Sequence, residues 1–205
     1  MGVLLILVTP LVLALLYLNL ATFSFERLGL SSEAALLVLF ASLVGGMINI
    51  PLSRERVVVQ QLPRGLMRFF YYYPPAVRER VIAINVGGAI IPRALSAFLA
   101  PLAQTLVTVV IVAAVCKVLA RITPGVGVTL PAFVPPLVSA AVAMLLASGS
   151  AAPVAYIGGT LGTLIGADLL NLPAVRRMPA LMLSIGGAGV FDGVFLVGII
   201  AVLVA

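Results

Sequence analysis

Three ionisable side chains stand inside long apolar runs of this chain: Arg93, Asp168 and Asp192. An ionisable group at membrane depth costs about 2.5–3.5 kcal/mol on insertion scales, which makes each a candidate for function by default. Two of the three are carboxyls, on consecutive apolar segments. Carboxyls held close together in a low-dielectric site cannot both ionise, so one keeps a proton and the pair can act as acid and base around a water. The same oxygens also suit a proton or a hard cation at a broken-helix site. The chain has no histidine and one cysteine, Cys116. Zinc sites, Ser-His-Asp and Cys-His nucleophile systems and an intrachain disulfide are thereby excluded by inventory. No cofactor and no metal site is expected.

The acids must be positioned by apolar elements. Of 205 residues, 63% are apolar and 9% charged, against roughly 45–50% and 25% in soluble domains. The Lys and Arg excess, twelve against six Asp and Glu, falls between uncharged runs, as an orientation signal does, and no nucleic-acid partner is expected. A crossing helix needs about 20 apolar residues. Counted so, runs at 1–25, 34–53, 81–116 (two, turning near Pro101), 122–167 (two, turning at Ser148-Gly149-Ser150) and 179–205 predict an all-α polytopic membrane protein. It has about seven transmembrane helices, some broken at Gly or Pro, in one integral membrane domain over 1–205. The basic loops after spans two, four and six place the N-terminus in the cytoplasm and the C-terminus outside, in a cell membrane of prokaryotic plasma-membrane type. The first run lacks a basic leader and is expected as a retained helix. The cytoplasmic loop 53–80 carries Phe69-Phe70-Tyr71-Tyr72-Tyr73 among arginines, an interfacial anchor in contact with membrane lipid.

Straight antiparallel helices would leave Asp168 and Asp192 roughly 10 Å apart in depth. Gly186-Gly187-Ala188-Gly189 precedes Asp192, and an unwound stretch there shortens the rise. Stripes such as Gly158-Gly159 and Gly162 to Gly166 also suit tight helix packing. Asn85, beside Gly87-Gly88 and Pro92, is read as lining the same cavity or making an interhelical hydrogen bond. Arg93 paired with either aspartate would undermine a shared-proton dyad. Pro124, Pro131, Pro135 and Pro136 mark a re-entrant loop or a turn.

Two resemblances follow from these residues. Asp168, Pro179-Ala180-Leu181 and Gly187-Ala188-Gly189 before Asp192 resemble, in reduced form, the GxGD intramembrane aspartyl proteases such as presenilin, signal peptide peptidase and prepilin peptidases. Two extra residues separate the glycines from Asp192, and the Pro-Ala-Leu precedes it. This resemblance implies catalytic Asp168 and Asp192, with Gly186, Gly187, Gly189, Pro179, Ala180, Leu181 and Asn85 on the substrate side and a transmembrane peptide as substrate. The blocks Ala83 to Pro92, Pro131 to Pro136, Gly158 to Asn171 and Ser184 to Gly193 resemble an uncharacterised family of prokaryotic multi-pass membrane proteins of unknown function. Three readings stand: an intramembrane aspartyl peptidase, a proton- or cation-coupled transporter or channel using the same aspartates, and a non-catalytic membrane assembly protein.

Overall fold

The computed structural model describes residues 2–59, 76–96, 102–123, 127–178, 180–187 and 193–205. In chain order these form α1 (Gly2–Arg27), α2 (Ser32–Gly46), β1 (Asn49–Val59), β2 (Ala76–Asn85), a π-helix (Val86–Ile90) and α3 (Ile91–Ser96). Then come α4 (Leu102–Leu119), β3 (Arg121–Thr123), β4 (Gly127–Thr129), α5 (Val134–Leu146), and α6 (Ala151–Thr163) running into a second π-helix (Leu164–Leu169). The chain ends with α7 (Leu172–Val175), β5 (Met182–Ile185) and α8 (Gly193–Val204).

This architecture corrects the expected seven-span, all-α bundle. The described residues carry two sheets, one of order β1-β2-β5 and one pairing β3 with β4. Among the described residues one helix, over Val8–Arg27, is long and apolar enough to cross a membrane. The uncharged run 34–53 splits, because α2 stops at Gly45-Gly46 and the chain becomes extended from Asn49. The run from 81 opens as the end of β2, where Ile82 and Ile84 alternate as in a strand. Asn49–Val59 and Ala76–Asn85 pair antiparallel, setting Glu55 opposite Arg80 and Arg56 opposite Glu79. The repeated Arg-Glu-Arg triplets are therefore complementary cross-strand partners, so the ends of the expected interfacial loop are strand. Its aromatic run lies outside the described residues.

β5 joins β2 in parallel, with Val81 beside Met182 and Ile84 beside Ile185. The expected turn at Ser148–Ser150 is present as one 3₁₀ turn between α5 and α6. Helix α6 is the axis of the helical layer: every residue from Val154 to Thr160 is buried. Its glycines admit its neighbours. A Cβ on Gly162 would fall 2.6 Å from Val112 Cβ, and one on Gly166 would fall 2.3 Å from Ala113 O, both on α4. At the other end Phe25, Leu39, Tyr156 and Val202 close a core shared by α1, α2, α6 and α8. Arg27 caps α8 there, donating to Val202 O at 2.8 Å. Large apolar side chains are exposed along α1, α2, α4 and α5, including Leu11, Leu13, Leu37, Phe40, Val110 and Leu145.

The α4–α6 contact yields the first prediction. Gly166→Val overpacks against a backbone carbonyl that cannot move aside and destabilises by about 1–3 kcal/mol or more. Gly149→Ala, with nothing within 4 Å of its Cβ position, has no comparable effect. Thermal unfolding of the two variants in detergent checks the contrast.

Candidate functional site

Asp168 lies in the second π-helix, past the end of α6 and level with the sheet, outside the one helix of spanning length. π-turns are rare and concentrate at functional sites. This one is locked from below: Asn171 Nδ2 donates to Gly166 O at 3.0 Å and Ala167 O at 2.9 Å. Lys117 on α4 in turn donates to Asn171 Oδ1 at 2.7 Å and Leu170 O at 2.8 Å. The next contact comes from the sheet, where Gly186 N–H donates to Asp168 Oδ2 at 2.7 Å.

Gly186 reaches that position because it carries no side chain. Its φ is +84°, in the left-handed region, and a Cβ there would lie 2.7 Å from Ala89 Cβ and 2.9 Å from Ala89 N in the first π-helix. That π-helix is itself capped by Asn85, whose Oδ1 accepts from Gly88 N at 2.8 Å. Asn85 Nδ2 donates to Gly46 O at 2.8 Å and to Asn49 Oδ1 at 3.2 Å, and Ser184 Oγ donates to the same Asn49 oxygen at 2.5 Å. A polar chain, buried at Asn85 and part-buried at Asn49 and Ser184, thus ties β1, β2 and β5 together just before the Gly186 turn.

A cavity of about 840 Å³ opens against Asp168, lined mostly by apolar residues of the β4–α5 segment, β5 and α8, such as Phe133, Met182 and Val197. Among the described residues of its wall, Asp168 is the only charged group, with Thr163 and Ser184 the only polar side chains. Met182, Leu183, Ser184 and Ile185 all line it. Side chains alternate faces along a strand, so a cavity touching four consecutive residues meets β5 along its edge. The bond from Val81 N–H to Leu181 O fixes which edge is free. Odd-numbered residues of β5 address β2, while the backbone groups of Met182, Ser184 and Gly186 point the other way. Asp168 therefore sits at the end of the free edge.

Burial in this apolar wall pushes the Asp168 carboxyl up to about 6, the Gly186 N–H pulling the other way. Among the described residues its other oxygen accepts no bond and no cation pairs with it. Arg93, the partner that would have made it an ion pair, is exposed on α3; the described ion pairs are Arg54–Glu79 and Glu55–Arg176.

Of the residues proposed from sequence, Asp168, Ala180 and Gly187 line the cavity, and Gly186 touches Asp168. Leu181 is half-exposed and pairs through its backbone with Val81. Asn85 is fully buried and stands behind the wall, in the interelement hydrogen bonds given above. Asp192, Gly189 and Pro179 lie outside the described residues, as does Pro124. Sequence reasoning did not single out Asn49, Ser184, Lys117 or Arg80 as parts of the site. Arg80 belongs to the expected basic loop, yet it is buried; the available signal was the run Val81-Ile82 directly after it, which marks the Arg-Glu-Arg triplet as the start of a strand.

Because the carboxyl is raised on folding, the native state holds its proton more tightly than the unfolded chain does between about pH 4 and pH 6. Stability accordingly falls as pH rises through that window, by on the order of 2–3 kcal/mol. Asp168→Asn removes this component of the slope, which denaturation measured from pH 4 to pH 7 on both proteins will show.

Residues 43–204 match a family model described as "Protein of unknown function (DUF1614)". No curated protein and no solved structure matches the chain.

Proposed function

The chain belongs to the DUF1614 family, and from the site we propose that it is an aspartic-type peptidase acting on apolar polypeptide, with Asp168 as the acid that keeps its proton. The observation that carries this reading is a carboxyl, the one charged group among the described residues of the cavity wall, raised by burial at the end of an unpaired strand edge that borders a large apolar cavity. An extended peptide laid along that edge would find backbone donors and acceptors at Met182 and Ser184, and apolar walls for its side chains. Its next carbonyl would come to Asp168.

In the proposed step the second aspartate, Asp192, is the ionised partner. It takes a proton from water, the hydroxide so formed adds to the peptide carbonyl, and Asp168 gives its proton to that carbonyl oxygen. Collapse follows as Asp192 gives its proton to the amine nitrogen and Asp168 takes one from the diol, which breaks the C–N bond, releases both fragments and restores both carboxyls to their starting states. Nothing in this step calls for a metal or a cofactor. The exposed apolar flanks of α1, α2, α4 and α5 support a place in a cell membrane, with α1 crossing and lipid covering the flank. A transmembrane or membrane-adjacent segment is then the nearest apolar polypeptide.

Asp168→Asn and Asp192→Asn, each purified in lipid nanodiscs, are expected to lose about 10²–10⁴-fold of the cleavage of an apolar reporter peptide. Cleavage retained in both variants ends the proposal. Cation or proton flux in proteoliposomes that disappears with the same substitutions, without any cleavage by the parent protein, would assign the carboxyl to transport.

A further inference from the structure

Arg80 is the one charged side chain buried in the described structure, at 6% exposure. Burying a cation is costly unless its donors are satisfied, and here they are satisfied by backbone. Nε donates to Ala180 O at 2.8 Å, Nη1 to Arg176 O and Nη2 to Met178 O at 2.5 Å. Among the described residues no carboxylate lies within ion-pair distance. Glu55, directly across the hairpin from Arg80, pairs with Arg176 at 3.6 Å. The planar fork of arginine presents its donors here from three nitrogens held apart in one plane, where an ammonium presents all of its donors from one.

The segment held this way leads from α7 into β5. Met178 and Ala180 contribute to the cavity wall, Leu181 O takes the Val81 N–H at 2.8 Å, and four residues of strand follow before Gly186 N–H meets Asp168. Arg80 thus fixes the beginning of an element whose end orients the carboxyl. We propose that Arg80 is a positioning residue for the Asp168 site, its guanidinium clamping the Arg176, Met178 and Ala180 carbonyls to β2 so that β5 delivers the Gly186 N–H to the carboxyl. The inference rests on the cavity being the site of action, but its test uses no activity.

Asp168 and Asp192 are the only aspartates in the chain, so an Asp192→Asn background labelled with carboxyl-¹³C aspartate reports Asp168 alone. In full-length protein in nanodiscs, Arg80→Lys keeps the charge and loses the fork. The titration midpoint of Asp168 is expected to move up, because a hydrogen bond favouring the anion is weakened, and the Gly186 amide to exchange at least about tenfold faster. Adding guanidinium ion to Arg80→Ala is expected to restore both readouts towards the parent values. A folded Arg80→Lys protein with parental titration and parental exchange overturns the proposal.

Should both variants fail to fold, the parent protein still decides. Arg80 Nε–H and Gly186 N–H must then exchange through one common opening, and clearly unlike opening rates refute the clamp. A parent that cleaves nothing yet shows the Arg80-dependent titration sinks the peptidase and leaves the positioning role standing. Cleavage with no Arg80 dependence of either readout does the reverse.

Discussion

The bond between Gly186 N–H and the Asp168 carboxyl, at 2.7 Å, is where the helical layer meets the sheet, and most of the local architecture exists to let those two atoms approach. A hydrogen bond to a charged group contributes about 1.5–3 kcal/mol. That is small beside the cost of arranging its surroundings. Helix α6 must press close enough to α4 for Gly166 to pass under Ala113 O, and the π-turn that follows carries Asp168 to the Gly186 N–H. On the other side, the first π-helix must leave room at Ala89 for a left-handed glycine. Removing a Cβ from each crossing is what makes the approach possible, so the glycines act as geometry for the acid as well as packing.

What the sequence made legible divides along this line. Asp168 is recognisable because a carboxyl in an uncharged run is expensive wherever it lies, and the glycine stripe on α6 because its four-residue spacing keeps one face bare. The turn at Ser148–Ser150 and the first helix are equally plain. The sheet was hidden by hydropathy: in 34–53 and from 81 onward, strand and helix are both apolar, and a count of uncharged residues cannot tell a period of two from one of 3.6. The evidence lay in detail that such a count discards. Val57-Val58-Val59, Ile82 and Ile84 are β-branched, and Arg54-Glu55-Arg56 is the antiparallel complement of Arg78-Glu79-Arg80. Arg80 was misplaced for a related reason, since charge was taken as a mark of solvent, whereas three free carbonyls can satisfy a guanidinium as fully as water can.

The break expected before Asp192 has a specific form. Met182–Ile185 is strand, and Gly186 and Gly187 both take φ of +84°, so the glycines end a strand where the apolar count had placed a helix interior. A strand next to β2 brings its own unpaired edge, and with it a way of holding a peptide that a loosened helix would not supply. The parallel pairing matters here. It leaves Gly186 on the free edge together with Met182 and Ser184, and that parity is what aligns the acid with the edge.

An acid kept only for structure would be expected to have both oxygens satisfied, because an unsatisfied buried polar atom costs about 1–3 kcal/mol. Buried carboxyls that serve as struts accept two or more donors or face a cation. Asp168 has one backbone donor, no cation among the described residues, and a wall of Leu, Val, Met and Pro on its remaining side. Two basic residues stand close in the fold and are both committed elsewhere: Lys117 to Leu170 and Asn171, Arg80 to three carbonyls. Holding those charges on fixed backbone and amide acceptors leaves the carboxyl, among the described residues, with neither a cation nor a second donor. That is the electrostatic condition a group needs if it is to exchange a proton with something that enters the cavity.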